Sequence, residues 1–137
     1  MSWSDSYVGL PYEPFGRSRQ GCDCWGLACI AYLEQLDIAL PDYLGYSSVD
    51  ERAEIAALVA GATASPLWRA VSAPQPMDIL VFRVGRLDCH IGLYAQPGLM
   101  LHAAEGRASV LERYTTGVWS RRLTGSYRHA DRFREAS

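Results

Sequence analysis

The residues of this chain that could do chemistry are one cysteine at a helix start and two histidines further along. Cys24 lies in the string G-C-D-C-W-G-L, where a loop ending at Asp23 meets a run of helical composition. A thiol at a helix N-terminus lies beside unpaired N–H groups, which favour the reactive thiolate. His90 and His102 lie in the strand-like strings C-H-I-G-L-Y and L-M-L-H-A. One activated sulfur and two imidazoles indicate a cysteine hydrolase, in which one histidine is the base and a second polar group orients it.

The positions of the two histidines along their strands predict that they can meet. Side chains alternate between the faces of a strand, so His90, Gly92 and Tyr94 share one face. The short Q-P-G turn makes the next strand an antiparallel neighbour, on which His102 can lie near His90, in a register that the sequence leaves open. We expect Gly92 to leave open space beside His90 for a substrate or a helix end.

Two other interpretations compete for these residues. A cysteine at a helix start can be a core residue, and a histidine on a strand can be a hydrogen-bonded structural group. A zinc site would draw on Cys22, Cys24, Cys89, His90 and His102. Against zinc, Cys22 and Cys24 are separated by one residue rather than two to four. The adjacent Cys89 and His90 point to opposite faces of a strand. We therefore predict no metal and no other cofactor.

Length and composition indicate one soluble globular domain over residues 1–137. The hydrophobic fraction of 49% and the charged fraction of 20% are ordinary for a folded protein and argue against disorder. A net charge of −2 gives no electrostatic case for binding nucleic acid or an anionic membrane. The N-terminus resembles no signal peptide, and no apolar run reaches the ~18 residues of a membrane span. We expect a chain made in a bacterial cytoplasm, with no membrane insertion.

The order of predicted elements favours an α+β fold. A buried helix is predicted from Cys24 to Leu36. Ser48 and Glu51 form a capping box ahead of a second helix, which is expected to end near Gly61. Helices followed by hairpin-linked strands predict an antiparallel sheet packed on the first helix. The predicted strands are Leu67–Val71, Asp78–Val84, Cys89–Ala95, Leu99–Ala104, Ser109–Tyr114 and Thr124–Arg128.

Three motifs, in this order, resemble those of the NlpC-type cell-wall peptidases, which are papain-like cysteine endopeptidases. G-L-P-Y-x-x-F-G at 9–16 is similar to the family's G-T-P-Y-x-x-G-G, and D-C-W-G-L at 23–27 to its D-C-S-G-L/F. H-I-G-L-Y…L-H-A, from His90 to Ala103, is similar to H-V-G-I-Y…I-H-A. The interval of twelve residues from His90 to His102 is the usual one in that family.

The resemblance implies a role for each matching residue. Cys24 would be the nucleophile, His90 the general base and His102 the group that orients it. Tyr12 would lie beside the sulfur and stabilise the oxyanion with its hydroxyl, and Asp23 would face the free amine of the substrate. The implied fold is a papain-like α+β domain, and the implied substrate is the peptidoglycan stem peptide, cut at the γ-D-glutamyl–diaminopimelate bond.

The chain departs from the family pattern at three positions. Trp25 replaces a small serine, and we expect it to contact the substrate by narrowing the groove or to pack beneath it. Phe15 replaces the first of two glycines, and Met77 stands where the family's P-G-D turn has glycine.

Two further strings resemble short peptidases of phage and gene-transfer-agent tail tips. They are R-S-R-x-G-x-D-C-x-G-L at 17–27 and W-S-R-R at 119–122. This resemblance implies tail-tip or baseplate proteins as partners, a docking surface around 119–122, and a particle that carries the enzyme to the cell wall. The alternatives are a tail-tip structural protein with little activity, or another papain-like amidase or acyltransferase. The filled triad positions argue against the first, and Asp23 beside the cysteine argues against the second.

Overall fold

The computed structural model describes residues 3–41, 51–104 and 106–135, which form the predicted α+β architecture. Two helices, α1 (Cys24–Leu36) and α2 (Glu51–Ala64), pack against a six-stranded antiparallel sheet. The other elements are β1 (Arg17–Ser18), β2 (Gly21–Cys22), β3 (Trp68–Ala70), β4 (Ile79–Val84), β5 (Leu87–Gln96), β6 (Leu99–His102), β7 (Val110–Arg113), α3 (Gly117–Ser120), β8 (Leu123–His129) and α4 (Ala130–Glu135). The strand order in the sheet is β3-β8-β4-β5-β6-β7, and a small hairpin of β1 and β2 precedes α1. None of the helices in the described ranges is long and apolar enough to cross a bilayer.

Helix α1 begins and ends at the predicted residues because both of its ends are capped. The carboxylate of Asp23 accepts a hydrogen bond from the Gly26 N–H, as an N-cap side chain does. At the other end Asp37 adopts a left-handed conformation, and its N–H bonds back to the Leu33 carbonyl. The helix has little amphipathic character because it is buried along most of its length through Tyr32.

Helix α2 extends three residues beyond the predicted end at Gly61. A single glycine costs a helix only about 1 kcal/mol, and the neighbours of Gly61 are good helix formers. The helix stops at Ala64, just before Ser65 and Pro66, where the proline disfavours helical backbone in the residue ahead of it. Ser48 of the expected capping box lies outside the described residues.

The sheet separates two apolar layers, as alternation along its strands requires. One face carries Ile79, Val81, Ile91, Leu93 and Leu101, which form the main core together with the two helices. The opposite face carries a smaller cluster of Leu80, Phe82, Met100 and Tyr114. The six predicted strands are all present, each with ends within two residues of those expected.

Pairing registers place both histidines on the face of the smaller cluster. His90 of β5 lies opposite Phe82 of β4, and His102 of β6 lies opposite Val110 of β7. The expected open space over Gly92 is absent, because the Met100 side chain fills it: a Cβ on Gly92 would lie 2.7 Å from the Met100 sulfur. Gly92 is needed because any side chain at this position would collide with Met100 of the neighbouring strand. Met100 in turn leaves no room for a ligand.

Two of the departures from the family pattern coincide with left-handed backbone. Phe15 has φ of 60° and Met77 has φ of 79°, a region in which glycine is favoured and other residues are strained. Met77 is only 4% exposed and packs into the main core. The apolar area that its side chain buries offsets the strain of its backbone.

The N-terminal segment is tied to the far edge of the sheet through Ser109, the residue before β7. The Gly9 N–H donates to the Ser109 carbonyl, and the Ser109 N–H donates to the Leu10 carbonyl, both at 2.9 Å. The Ser109 hydroxyl donates to the Tyr7 carbonyl and accepts from the Leu10 N–H. This segment therefore leads from the His102 side of the sheet towards the start of α1.

Candidate active site

Helix α1 carries Cys24 at its first position, and its packing on the sheet gives the location of that residue along β5. The Tyr32 hydroxyl donates to the Met77 carbonyl, and the Met77 N–H donates to the Tyr94 carbonyl of β5. Helix α1 packs on β5. The eight residues from Cys24 to Tyr32 span about 12 Å of helix, and the four from His90 to Tyr94 about 13 Å of strand. Trp25 lines one cavity with Ile91 and Val81, so the helix N-terminus, with the 5% exposed Cys24, lies near the His90 end of β5 on the face of the main core. The expected approach of Cys24 to His90 stays a prediction.

Close backbone packing fixes the turn that enters the helix. A Cβ on Gly26 would lie 1.9 Å from the Gly16 carbonyl oxygen, and one on Gly16 would lie 2.3 Å from the Gly21 carbonyl oxygen. These glycines belong to the first and second sequence motifs. Their shared property is that neither position admits a side chain, which lets the two motifs pack directly against each other beside Cys24.

The carboxylate of Asp23, which is fully buried, stabilises that turn. It accepts hydrogen bonds from the N–H of Gly26 at 2.7 Å, the N–H of Phe15 at 3.0 Å and the guanidinium of Arg17 at 2.9 Å. Charge pairing and donors to both oxygens offset the cost of burying this charge. The structure thus gives Asp23 a positioning role, and its expected contact with a substrate amine stays a prediction.

Tyr12 lies on the other side of the same turn. Its backbone forms a bridge with Cys22, flanked by a bond of 3.0 Å from the Cys22 N–H to the Pro11 carbonyl and one of 3.2 Å from the Glu13 N–H to the Cys22 carbonyl. Tyr12 therefore lies beside Cys22, two residues before Cys24 in the chain. Its contribution to an oxyanion site remains a prediction.

Trp25 packs under the site, and its side chain offers no face to a substrate groove. It is 3% exposed, and its indole N–H donates to the Pro41 carbonyl at 2.8 Å. The ring lines a small apolar cavity between the helices and the sheet, together with Val81 and Ile91. Of the two expectations for Trp25, its burial supports packing beneath the groove and argues against contact with a substrate. The residue after Cys24 points into the core, where tryptophan adds buried apolar area.

The two histidines form a hydrogen-bonded chain that ends on a carboxylate. His90 Nε2 lies 2.9 Å from His102 Nδ1, and His102 Nε2 lies 2.7 Å from Glu112 Oε1. His102 is fully buried and His90 is 8% exposed, whereas the Glu112 side chain is 35% exposed. Because Nε2 of His90 is hydrogen-bonded to His102, Nδ1 is the ring nitrogen that would serve the Cys24 thiol in the predicted triad.

Both imidazoles are neutral at neutral pH. Burial lowers the pKa of His90 to about 3, and the positive charges of Arg107, Arg122 and a protonated His102 would lower it further. Burial also lowers the pKa of His102, although the hydrogen bond to Glu112 opposes the shift. A neutral His90 is the form that can accept a proton from a thiol.

Glu112 is a site residue that the sequence analysis missed. It lies directly opposite Met100 and two residues from Val110, so it shares the face of β7 that adjoins His102. Alternation along the predicted strand 109–114 carries this signal, because Glu112 is the acidic residue on the face of the histidines.

Trp119 also contacts the predicted site residues, and its expected part in a docking surface stays a prediction. Its ring stacks on His90 with centroids 4.8 Å apart and meets His102 edge-on at 5.3 Å. Its indole N–H donates to Glu112 Oε1 at 3.2 Å. No sequence signal points to this role, since Trp119 lies on the short helix α3 and reaches the histidines only through the path of the chain.

The other cysteines differ from Cys24 in their surroundings. All four are free thiols. Burial, with the nearby Asp23 carboxylate, raises the pKa of Cys22 to about 11, so its thiol is unreactive near neutral pH. Among the described residues, no three of the His, Cys, Asp and Glu side chains are grouped so as to hold a metal ion.

The family follows from a comparison with known protein families. The NlpC/P60 family model matches residues 9–128, which is most of the chain. The chain belongs to the NlpC/P60 family. Members of this family are generally peptidoglycan hydrolases that act as cysteine peptidases. No curated protein matches the chain.

Solved structures show the same fold as this NlpC/P60 domain. The NlpC/p60 domain of the peptidoglycan hydrolase SagA is 18% identical, with a TM-score of 0.62 and 90% of each chain covered. An NlpC/P60 family protein from Bacillus cereus is 20% identical with a TM-score of 0.64, covering 90% of this chain and 36% of that one. NlpC1 from Trichomonas vaginalis is 19% identical with a TM-score of 0.61, covering 91% and 40%. The chain thus spans the length of an isolated family domain and under half of the longer proteins.

Proposed function

We propose that this domain is a cysteine endopeptidase that cuts the γ-D-glutamyl–diaminopimelate bond of peptidoglycan stem peptides. The observation that supports it best is the hydrogen-bonded chain from His90 through His102 to Glu112, near the end of β5 at which the N-terminus of α1 packs. The family supports peptidoglycan as the substrate. The bond itself is proposed from the sequence motifs.

The geometry supports general-base catalysis starting from a neutral pair. His90 Nδ1 takes the proton of the Cys24 thiol as the sulfur attacks the γ-carbonyl carbon, and the Tyr12 hydroxyl hydrogen-bonds the resulting oxyanion. The C–N bond then breaks, and His90 returns the proton to the leaving amine of diaminopimelate. Water next attacks the thioester while His90 takes one of its protons. The acyl group leaves as a free γ-carboxyl, and the proton returns to the sulfur.

Purified sacculi provide the test. We expect the wild-type protein to release fragments with a free γ-carboxyl on D-glutamate and a new amino terminus on diaminopimelate, identified by mass spectrometry. Cys24→Ala should lower the rate by about 10⁴-fold or more, because the nucleophile is lost.

Cys29→Ala is the matched control, since Cys29 lies on the same helix and is outside the proposed triad. It should keep the wild-type rate. Fragments cut elsewhere in the stem peptide would overturn the proposed bond. Equal release by wild type and Cys24→Ala would overturn the peptidase, and transfer of the acyl group to an added amine in place of water would indicate an acyltransferase.

We further propose delivery of the domain by a phage-like tail, where it would bind tail-tip or baseplate proteins. The support is the likeness of 17–27 and 119–122 to tail-tip peptidases. Parts of both strings have roles inside the domain: Arg17 pairs with Asp23, Arg19 pairs with Glu34 at 2.7 Å, and Trp119 covers the histidines. Arg121 and Arg122 are exposed and form the part of this surface that a partner could contact.

Purified particles test the delivery proposal. We expect the protein to co-purify with tails at low, fixed copy number, measured by quantitative mass spectrometry. Particles made with Cys24→Ala should assemble normally but deliver DNA poorly through an intact wall and normally into wall-less cells. Recovery of the protein only from the soluble lysate would contradict delivery and leave the peptidase proposal intact.

A further inference from the structure

We propose that Glu112 is a positioning residue that sets the tautomers of both histidines, so that His90 presents an unprotonated Nδ1 to Cys24. The inference deepens the proposed peptidase function and rests on it for its consequence in catalysis. The tautomers themselves can be observed without any substrate.

The carboxylate of Glu112 determines which atoms donate in the hydrogen bonds that join His90, His102 and Glu112. A carboxylate can only accept, so the 2.7 Å contact to Glu112 requires a proton on His102 Nε2. A neutral imidazole has a single N–H, which leaves His102 Nδ1 as an acceptor. The 2.9 Å contact to His90 Nε2 then requires the proton of His90 on that nitrogen. The lone pair of His90 is thereby confined to Nδ1, the one nitrogen that can take a proton from the thiol.

Three donors keep Glu112 in the accepting form. Its Oε1 atom receives hydrogen bonds from His102 Nε2, from the Arg107 guanidinium at 2.5 Å and from the Trp119 indole at 3.2 Å. Burial raises the pKa of Glu112, but the hydrogen bonds from His102 and Arg107 outweigh it and hold the pKa below its usual value. The Glu112 carboxylate therefore remains ionised at neutral pH.

The surroundings of the pair suppress the opposite arrangement. The stacked Trp119 ring covers a face of His90, and Phe82 lies beside the same ring with centroids 6.1 Å apart. Apolar rings offer no hydrogen bond to a misplaced imidazole proton. Without Glu112, nothing among the contacts recorded for His102 Nε2 accepts a proton, because the remaining partner, Arg107 at 3.4 Å, is a donor. That donor would favour a lone pair on His102 Nε2. The proton of His102 would then move to Nδ1, and the hydrogen bond between the two histidines would be reversed.

Nitrogen NMR of labelled histidine tests the proposal directly. We expect the wild-type protein at pH 7 to show the Nε2–H tautomer for both His90 and His102. His129 is an internal reference, because its Nδ1 accepts from the Asp131 N–H at 3.1 Å and its proton is likewise fixed on Nε2. A proton on Nδ1 of His90 in the wild-type protein would overturn the inference without any variant.

Two variants extend the test to function. Glu112→Met removes the acceptor at similar length and should move His90 towards the Nδ1–H tautomer. On a γ-D-glutamyl peptide it should lower kcat about 100-fold with little change in KM, since the wrong tautomer disables the base without touching substrate. Glu112→Gln keeps an oxygen that the same three donors can orient, so it should keep the wild-type tautomers and remain within about tenfold of the wild-type kcat.

Glu34→Met is the matched control, because Glu34 is a similarly exposed, arginine-paired glutamate outside the site. It should change neither tautomers nor kcat. Unchanged tautomers in a folded Glu112→Met protein would contradict the inference. If the tautomers behave as expected but no variant cleaves the peptide, the positioning role stands and the proposed peptidase function fails.

Discussion

His90→Ala is expected to abolish turnover, with kcat lowered about 10⁴-fold or more, whereas His102→Ala should lower it by about 10²- to 10³-fold. In the proposed mechanism His90 is the base that takes the proton of the thiol, so its loss removes the base. Loss of His102 leaves a polar gap between His90 and Glu112, and a water molecule there can restore part of the hydrogen bonding. Steady-state kinetics on a γ-D-glutamyl peptide, with thermal melting to verify folding, measures both effects.

The third histidine is the natural control for this pair. His129 is buried against Trp68 and Tyr32, with ring centroids 5.0 Å and 6.3 Å away, and is outside the proposed triad. His129→Ala should lower the melting temperature and leave kcat near the wild-type value. A His90→Ala protein that kept more than a tenth of wild-type turnover would rule out the assigned base.

Gly26→Ala is expected to destabilise the domain by about 3 kcal/mol or more. The added methyl would lie 1.9 Å from the Gly16 carbonyl oxygen, a backbone atom that cannot rotate away as a side chain can. Relief requires the 9–16 segment to separate from α1, which would displace Tyr12 and the turn before Cys24. Denaturant unfolding gives the free energy, and activity of any protein that remains folded reports the displacement.

Gly61→Ala makes the same chemical change in a different setting. Gly61 lies within α2 and is exposed, and a Cβ there meets nothing within 4 Å. Alanine is the better helix former, so this variant should be up to about 1 kcal/mol more stable than wild type. If the two variants unfolded at the same denaturant concentration, tight packing between the first two sequence motifs would not be the cause.

Sequence reasoning succeeded where local signals determine the outcome. The ends of α1 follow from Asp23 as its N-cap and from the break after Leu36, and the strands follow from alternation between turn residues. Proximity of His90 and His102 followed from the short turn between their strands. The Cys24 position at the helix start is likewise a local property of the D-C-W-G-L string.

The features that the sequence left open or predicted wrongly depend on contacts between distant segments. Whether Trp25 faces a groove or the core depends on where α2 and the sheet meet it. The filled space over Gly92 depends on the side chain that β6 places opposite it. Trp119 joins the histidines through the path of the chain after β7, for which the sequence holds no periodic signal.

The tie between the N-terminal segment and Ser109 has a consequence for the order of events during synthesis. Cys24 and the segment beside it leave the ribosome before Ser109, the residue that anchors that segment, which is made 85 positions after Cys24. Contacts so distant in sequence form late, because the intervening chain must be ordered before they are gained. During most of the synthesis of residues 24–119 the thiol therefore exists without its proposed base, its anchor or the indole that covers that base. The proposed site can form only after the segment that carries His90, Ser109 and Trp119 has been made.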